Sequence, residues 1–108
     1  MSDKPSIDDD ASDDRWMVIN GRRWRKTDPS LPTEIVEQLK SHLGRGRSGV
    51  RAAKQADDTD AVAAARHRVG IAKHGLGERG PYWWDDAEPN RLARANDALQ
   101  ELNDLDPE

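Results

Sequence analysis

Residues 15–26 read RWMVINGRRWRK, and this stretch decides how the fold begins. Residues that favour β-strands flank Asn20 and Gly21, a dipeptide that is typical of a two-residue type I′ turn. The sequence therefore predicts a β-hairpin. A two-residue loop also sets the register, which places Met17 opposite Trp24 and Trp16 opposite Arg25.

The two faces of the predicted hairpin differ in chemistry, because alternate cross-strand pairs lie on opposite sides. One face carries Met17, Ile19 and Trp24, and we expect it to pack on helices since an isolated hairpin is marginal in water. On the other face we expect Trp16 to lie against Arg25 as a cation–π pair and the arginines to remain in solvent. Trp24 is then the more deeply buried of the two tryptophans.

Two helical patterns follow the hairpin. Apolar residues at helical spacing predict one helix over 32–55, which begins at Pro32, and another over 60–75. Asp and Thr residues in the turn between them are suited to cap the second helix. A loop this short makes the two helices an antiparallel helical hairpin.

Three glycines interrupt the first helical pattern. In the antiparallel pairing Gly46 lies opposite Val69, so we expect the two backbones to approach closely there. Glycine in a helix costs about 1 kcal/mol relative to alanine, and for Gly44 and Gly49 we expect a kink in the helix.

The ends of the chain are acidic. Residues 1–14 contain six Asp and little apolar surface, so we expect a disordered tail. Residues 85–108 form an acidic segment in which 89–102 has helical spacing, and for this short helix we expect fraying and weak docking or none. The prediction is an α+β fold, a small β-hairpin packed on an antiparallel αα-hairpin, whose basic ββαα core at 15–84 folds without the tails.

Charge is distributed unevenly along the chain. The total is -4, yet residues 15–80 hold fourteen Lys or Arg against seven acidic residues, a net charge of +7 between segments of -5 and -6. A basic segment with interleaved tryptophans suits phosphate contacts. We therefore predict a nucleic-acid or nucleoprotein partner, with these candidate binding residues: Arg22, Arg23, Arg25, Arg47, Arg51, Lys54, Arg66, Lys73, Trp83 and Trp84. For at least one of the last two tryptophans, docking onto the β-hairpin as part of the core is the favoured alternative.

Two other interpretations of the basic residues stay open. One is a protein-interaction adaptor whose groove between tryptophans and helices accepts a peptide or a partner helix, with the arginines serving solubility. The other is a solvated helical surface whose arginines pair with nearby acids and with the tails. The tails could also screen the basic core against polyanions.

Enzymatic and metal chemistry find no support in the residues. His42, His67 and His74 lack the spacing of a metal site, the glycines of 43–49 lack the pattern of a phosphate loop, and the aspartates of 8–14 lack that of a calcium loop. We expect no catalysis, no cofactor, no metal and no small-molecule substrate. No stretch is apolar enough to span a membrane and the first residues do not resemble a signal peptide, so we expect a cytoplasmic protein.

Three motifs carry a resemblance to a known family. They are GRRWRKTDPSLP at 21–32, ARHRVGIAK at 65–73 and LGERGPYWW at 76–84, and together they resemble a widespread family of small uncharacterised bacterial proteins, some of which are named "biopolymer transporter Tol". The resemblance covers residues 15–84 and implies no established activity and no functional residues. The transporter name does not fit, because such components need a membrane-spanning helix.

Overall fold

The computed structural model describes residues 15–105. Within this range the chain forms the strands β1 (Trp16–Ile19) and β2 (Arg22–Arg25), and the helices α1 (Thr33–Gln55), α2 (Thr59–Leu76) and α3 (Glu88–Asp104), with a short 3-10 helix at Trp83–Asp85. The predicted α+β class is confirmed. The acidic tail predicted for 1–14 lies outside the described residues.

The β-hairpin has the predicted register. Met17 pairs with Trp24 and Trp16 pairs with Arg25 in an antiparallel ladder. Asn20 and Gly21 both have positive φ, 54° and 80°, as a type I′ turn requires. The Asn-Gly dipeptide therefore closes the hairpin in the way its sequence indicates.

Helices α1 and α2 form the predicted antiparallel pair. Asp58 caps α2, its side chain accepting a hydrogen bond from the backbone N–H of Ala61 at 3.0 Å, and Gly77 ends this helix in the left-handed conformation with φ 82°. Leu39, Leu43 and other apolar residues of α1 face α2 and are buried.

The glycines of α1 act differently from one another. Helix α1 runs continuously through all three. A Cβ atom at Gly46 would lie 2.7 Å from Cγ2 of Val69, and one at Gly49 would lie 3.2 Å from Cβ of Ala65, whereas one at Gly44 would meet no described atom within 4 Å. The close approach predicted at Gly46 is confirmed. At Gly49 the structure replaces the expected kink with a second close approach.

Helix α3 differs most from expectation. It is longer than predicted, and Ala95, Ala98, Leu99 and Leu102 are buried against α1 and α2 in a single core. A Cβ atom at Gly75 would lie only 2.7 Å from Cβ of Ala98, so α2 and α3 are in close contact. The expected weak docking was wrong, because small and apolar side chains on one face of α3 complete a core that two helices leave open.

A buried ion pair adds to the docking of α3. The Arg91 guanidinium donates to both carboxylate oxygens of Asp28, at 2.6 and 2.9 Å, and Asp28 is 1% exposed. Ser30 donates to the same carboxylate through its N–H and its hydroxyl, both at 2.8 Å. Burial by itself raises the pKa of Asp28, but the hydrogen bonds from Arg91 and Ser30 outweigh it and the pKa is lowered.

None of the helices in the described range combines the length and the apolar character that crossing a membrane requires.

Candidate functional site

The β-hairpin is joined to the rest of the fold mainly through the segment that follows α2. The backbone N–H of Asp28 donates to Leu76 O at 2.9 Å, and Arg25 Nη1 donates to Pro81 O at 3.0 Å. The hydroxyl of Thr27 donates to Oε2 of Glu78 at 2.7 Å. These bonds hold the base of the hairpin at the carboxyl end of α2.

An aromatic cluster surrounds Trp16 on the face of the hairpin opposite Met17. Tyr82 and Trp84 stack with ring centroids 4.7 Å apart, and both rings meet Trp16 edge-on at 6.0 and 5.6 Å. The cation on Trp16 is Arg23, at 4.3 Å, rather than Arg25, which lies over Tyr82. The expected pairing of Trp16 with Arg25 was therefore wrong, because residues 82–84 fold back onto this face and Tyr82 takes the contact with Arg25. Trp16 and Trp24 are both half-buried.

Trp83 belongs to the core. It is 7% exposed, and its indole N–H donates to Lys26 O at 3.0 Å. Arg91 lies over its ring at 5.1 Å. Trp83 was predicted as a binding residue, but its ring and its only donor are already engaged inside the protein. Trp84 is half-buried within the aromatic cluster.

The Met17 face of the hairpin does not close onto the helices. Met17 and Ile19 remain 38% and 49% exposed, and a groove of about 340 Å³ separates this face from α1 and α2. We call it the hairpin groove. Its lining residues are Met17, Ile19, Asn20, Arg22, Trp24, Arg25, Arg47, Lys73 and Glu78.

Lys73 lies deepest among the charged residues of the hairpin groove. It is 9% exposed, and its Nζ lies 4.9 Å from the ring centroid of Trp24, whose ring also contacts the guanidinium of Arg22 at 4.8 Å. Burial lowers the pKa of Lys73, Glu78 acts in the opposite direction, and the positive charges of Arg79 and Arg47 lower it further. Within 15–105 its ammonium has neither a hydrogen-bond acceptor nor an ion-pair partner.

Arg47 connects the hairpin groove with two neighbouring depressions. One, of about 640 Å³, continues along α1 past Lys40 and Gly44. The other, of about 450 Å³, lies between α1 and α2 and is lined by Arg51, Arg66 and further residues. Across these three concave surfaces the described lining residues include one acidic side chain, Glu78, and nine basic ones, which are Arg22, Arg25, Lys26, Lys40, Arg47, Arg51, Arg66, Lys73 and Arg79.

The predicted binding residues therefore fall into three groups. Six of the ten lie on the connected basic surface: Arg22, Arg25, Arg47, Arg51, Arg66 and Lys73. Lys54 is exposed in the last turn of α1, beyond that surface. Arg23 and Trp84 lie on the other face of the hairpin and Trp83 in the core.

Sequence reasoning missed Glu78 and Met17 as lining residues of the groove. It placed Met17 inside a hairpin–helix contact, and that contact is open in the structure. Glu78 follows Gly77, whose left-handed conformation turns the chain sharply after α2. The run of glycines after α2 was the available signal, because such a turn brings the next side chains back beside the helix end.

Metal binding has no site in the described range. Among residues 15–105 no three His, Asp or Glu side chains lie close enough together to hold an ion. His42 is a buried residue of α1, and its ring contacts Asn103 Oδ1 of α3 at 3.2 Å and Arg68 Nη1 of α2 at 2.9 Å. It serves packing between helices.

Comparison with known proteins identifies no related family, protein or structure. Neither protein-family models, nor curated proteins, nor solved structures give a significant match to the chain. The resemblance carried by the three sequence motifs stays a prediction.

Proposed function

We propose that the protein is a non-catalytic binding module that contacts the phosphate backbone of a nucleic acid through its connected basic surface. The observation that carries the proposal is the position of Arg47, where three depressions with nine basic and one acidic described side chains meet. Neighbouring cations of this kind release counterions when they neutralise phosphates, which supplies the free energy of non-specific binding.

The arginines of this surface retain donors for a ligand. Arg22 lies over Trp24 and donates no hydrogen bond within the described residues, and Arg51 donates one, to Oγ of Ser48 at 3.1 Å. A guanidinium has five N–H donors. Arg25 differs, because it donates to Pro81 O and Gly77 O and so serves first to hold the hairpin.

The proposal is tested by removing two neighbouring charges from this surface. Arg47→Gln with Arg51→Gln should weaken binding to single-stranded and duplex DNA and reduce the slope of log affinity against log salt by about 1.8 on duplex, or about 0.9 per lost contact. Fluorescence anisotropy over a salt series measures both quantities.

A matched control variant has the same net charge as the double arginine variant, but its changes lie on α3, away from the basic surface. Ala93→Glu with Asn96→Asp adds two negative charges on the exposed side of α3, so a purely global charge effect would weaken binding equally in both double variants. Equal weakening, or no salt-sensitive binding by the unaltered protein at low ionic strength, would contradict the proposal.

A protein partner is the second candidate, and it rests on the exposed apolar side chains of Met17 and Ile19. Together with the edge of Trp24 they give the hairpin groove an apolar wall that an amphipathic segment could contact. Binding dominated by this wall would change little with salt and would be lost in Ile19→Asp. The salt series therefore separates the two candidates.

A further inference from the structure

Lys73 is a buried lysine on the floor of the hairpin groove. The residue as a whole is 9% exposed, and within residues 15–105 its Nζ has no hydrogen-bond acceptor and no carboxylate within bonding distance, only the ring of Trp24 at 4.9 Å. Buried charges in proteins are ordinarily paired, because desolvation is costly. The nearby carboxylate of Glu78 accepts instead from the hydroxyl of Thr27. The floor of the hairpin groove thus presents a positive charge that forms no direct ion pair with another residue of the range 15–105.

Three further cations line the same groove, and two of them, Arg47 and Arg22, keep their donors for a ligand, whereas Arg25 donates to backbone carbonyls. Arg47 contributes from α1 and Arg22 from β2, and neither donates a hydrogen bond to another described residue. Together with Lys73 and Arg25, the groove holds four positive charges against the single negative charge of Glu78. A carboxylate or a phosphodiester, each with one negative charge, would leave this excess uncompensated. A phosphate monoester carries a charge between about -1.5 and -2 near neutral pH and offers three acceptor oxygens.

We infer that the hairpin groove binds a terminal phosphate monoester of a nucleic-acid strand, held by Lys73, Arg47 and Arg22. The inference rests on the proposed function and names the part of the ligand that this site takes. Charge-assisted hydrogen bonds from guanidinium and ammonium groups are the strong interactions of phosphate sites.

The shape of the groove selects an end of a strand rather than its middle. A groove of about 340 Å³ is of the size that holds a small ligand, and a duplex cannot enter it. An internal phosphate carries a sugar on each side, whereas a terminal phosphate can enter end-on and reach Lys73. The terminal nucleoside then lies against Met17 and Ile19, the apolar wall of the groove.

The test compares oligonucleotides that differ only at their ends. Single-stranded DNA of one sequence is prepared with a 5′-phosphate, with a 3′-phosphate or with hydroxyl ends, and binding to the full chain is measured by fluorescence anisotropy. At least one phosphorylated form should bind about tenfold more tightly or better, as one added charge-assisted contact of about 1.4 kcal/mol or more implies. The 5′ and 3′ forms show which end is taken.

Substitutions test whether the preference for a phosphorylated end arises in the hairpin groove. Lys73→Met keeps the apolar stem and should abolish the preference for a phosphorylated end, so that all oligonucleotides bind with the same affinity, and Arg47→Met should reduce the preference. Arg66→Met, on the same basic surface but outside the hairpin groove, should weaken all oligonucleotides alike and keep the preference. Circular dichroism establishes that each variant is folded. If Lys73→Met does not fold, Arg47→Met alone tests whether the preference for a phosphorylated end arises in the hairpin groove.

The possible failures are distinct. Equal, salt-sensitive affinity for all ends would overturn the terminal-phosphate site and leave the proposed function standing. A preference that survives in both groove variants would place the recognition elsewhere and would also overturn it. If no oligonucleotide binds at low salt, the proposed function and the site are both wrong.

Discussion

Removing the guanidinium of Arg91 tests whether α3 is an integral part of the fold. Arg91→Met keeps an apolar stem beside Trp83 and leaves the carboxylate of Asp28, 1% exposed, without its charged partner. Breaking a buried ion pair on one side costs about 3 to 5 kcal/mol. The two hydrogen bonds from Ser30 remain, so we expect the lower end of that range, about 3 kcal/mol.

A loss of that size is large for this chain. A fold of the 91 residues from 15 to 105 has a stability of about 5 to 14 kcal/mol by the usual values per residue. Urea unfolding followed by tryptophan fluorescence measures the free energy of unfolding. Arg66→Met, an exposed arginine of α2, is the control and should change stability by no more than about 0.5 kcal/mol.

Two further measurements separate the ion pair from general packing. The double variant with Asp28→Asn and Arg91→Met should be more stable than the sum of the two single changes predicts, because no unpaired charge is left buried. The lowered pKa of Asp28 means that the pair stabilises the fold above the pKa of an unfolded aspartate, and that this contribution is lost as pH falls through the lower folded value. In Asp28→Asn that acid-dependent loss should be smaller. Additive single effects, or a cost of Arg91→Met below about 1 kcal/mol, would refute the reasoning.

Three other predictions follow from the packing. A chain truncated to 15–84 loses α3 and should show no cooperative thermal transition by circular dichroism; a sharp transition would mean that the sequence-based boundary was right after all. Gly44→Ala should raise the free energy of unfolding by about 0.5 to 1 kcal/mol, whereas Gly46→Ala, which meets Val69 at 2.7 Å, should lower it in the same urea assay. The folded pKa of Lys73 lies below its unfolded value, so stability should rise with pH between the two, and Lys73→Met should remove that rise.

Local chemistry made much of this fold predictable. Asn20 and Gly21 determine both the turn and the register, because the two-residue loop leaves one pairing. The capping Asp58 and the terminating Gly77 set the ends of α2 within one or two residues of the prediction. Each of these features depends on residues close together in the chain.

The missed features depend on residues far apart in the chain. Nothing within the sequence around Asp28 indicates a partner 63 positions away, and the small residues of α3 gain their meaning only against Gly75 and Leu39. The candidate site likewise combines features that nearby residues predict with features that depend on residues far apart in the chain. Composition indicated a basic surface and a buried tryptophan at Trp83 or Trp84, but the pairing of Trp16 with Arg23 rather than Arg25 depends on Tyr82, which takes the contact with Arg25.

The attachments at the base of the hairpin have a consequence for folding kinetics. The bonds from Arg25, Thr27 and Trp83 join positions 51 to 57 apart, whereas α1 and α2 meet through a short turn. Contacts between distant positions form late in folding. Closing the long loop between them lowers the entropy of the chain before the contact can stabilise the structure. We expect the helical hairpin to be structured in the folding transition state and the β-hairpin to dock after it. Thr27→Ala should then accelerate unfolding in stopped-flow fluorescence and leave the folding rate nearly unchanged, so that detachment of the hairpin governs how long the native state survives.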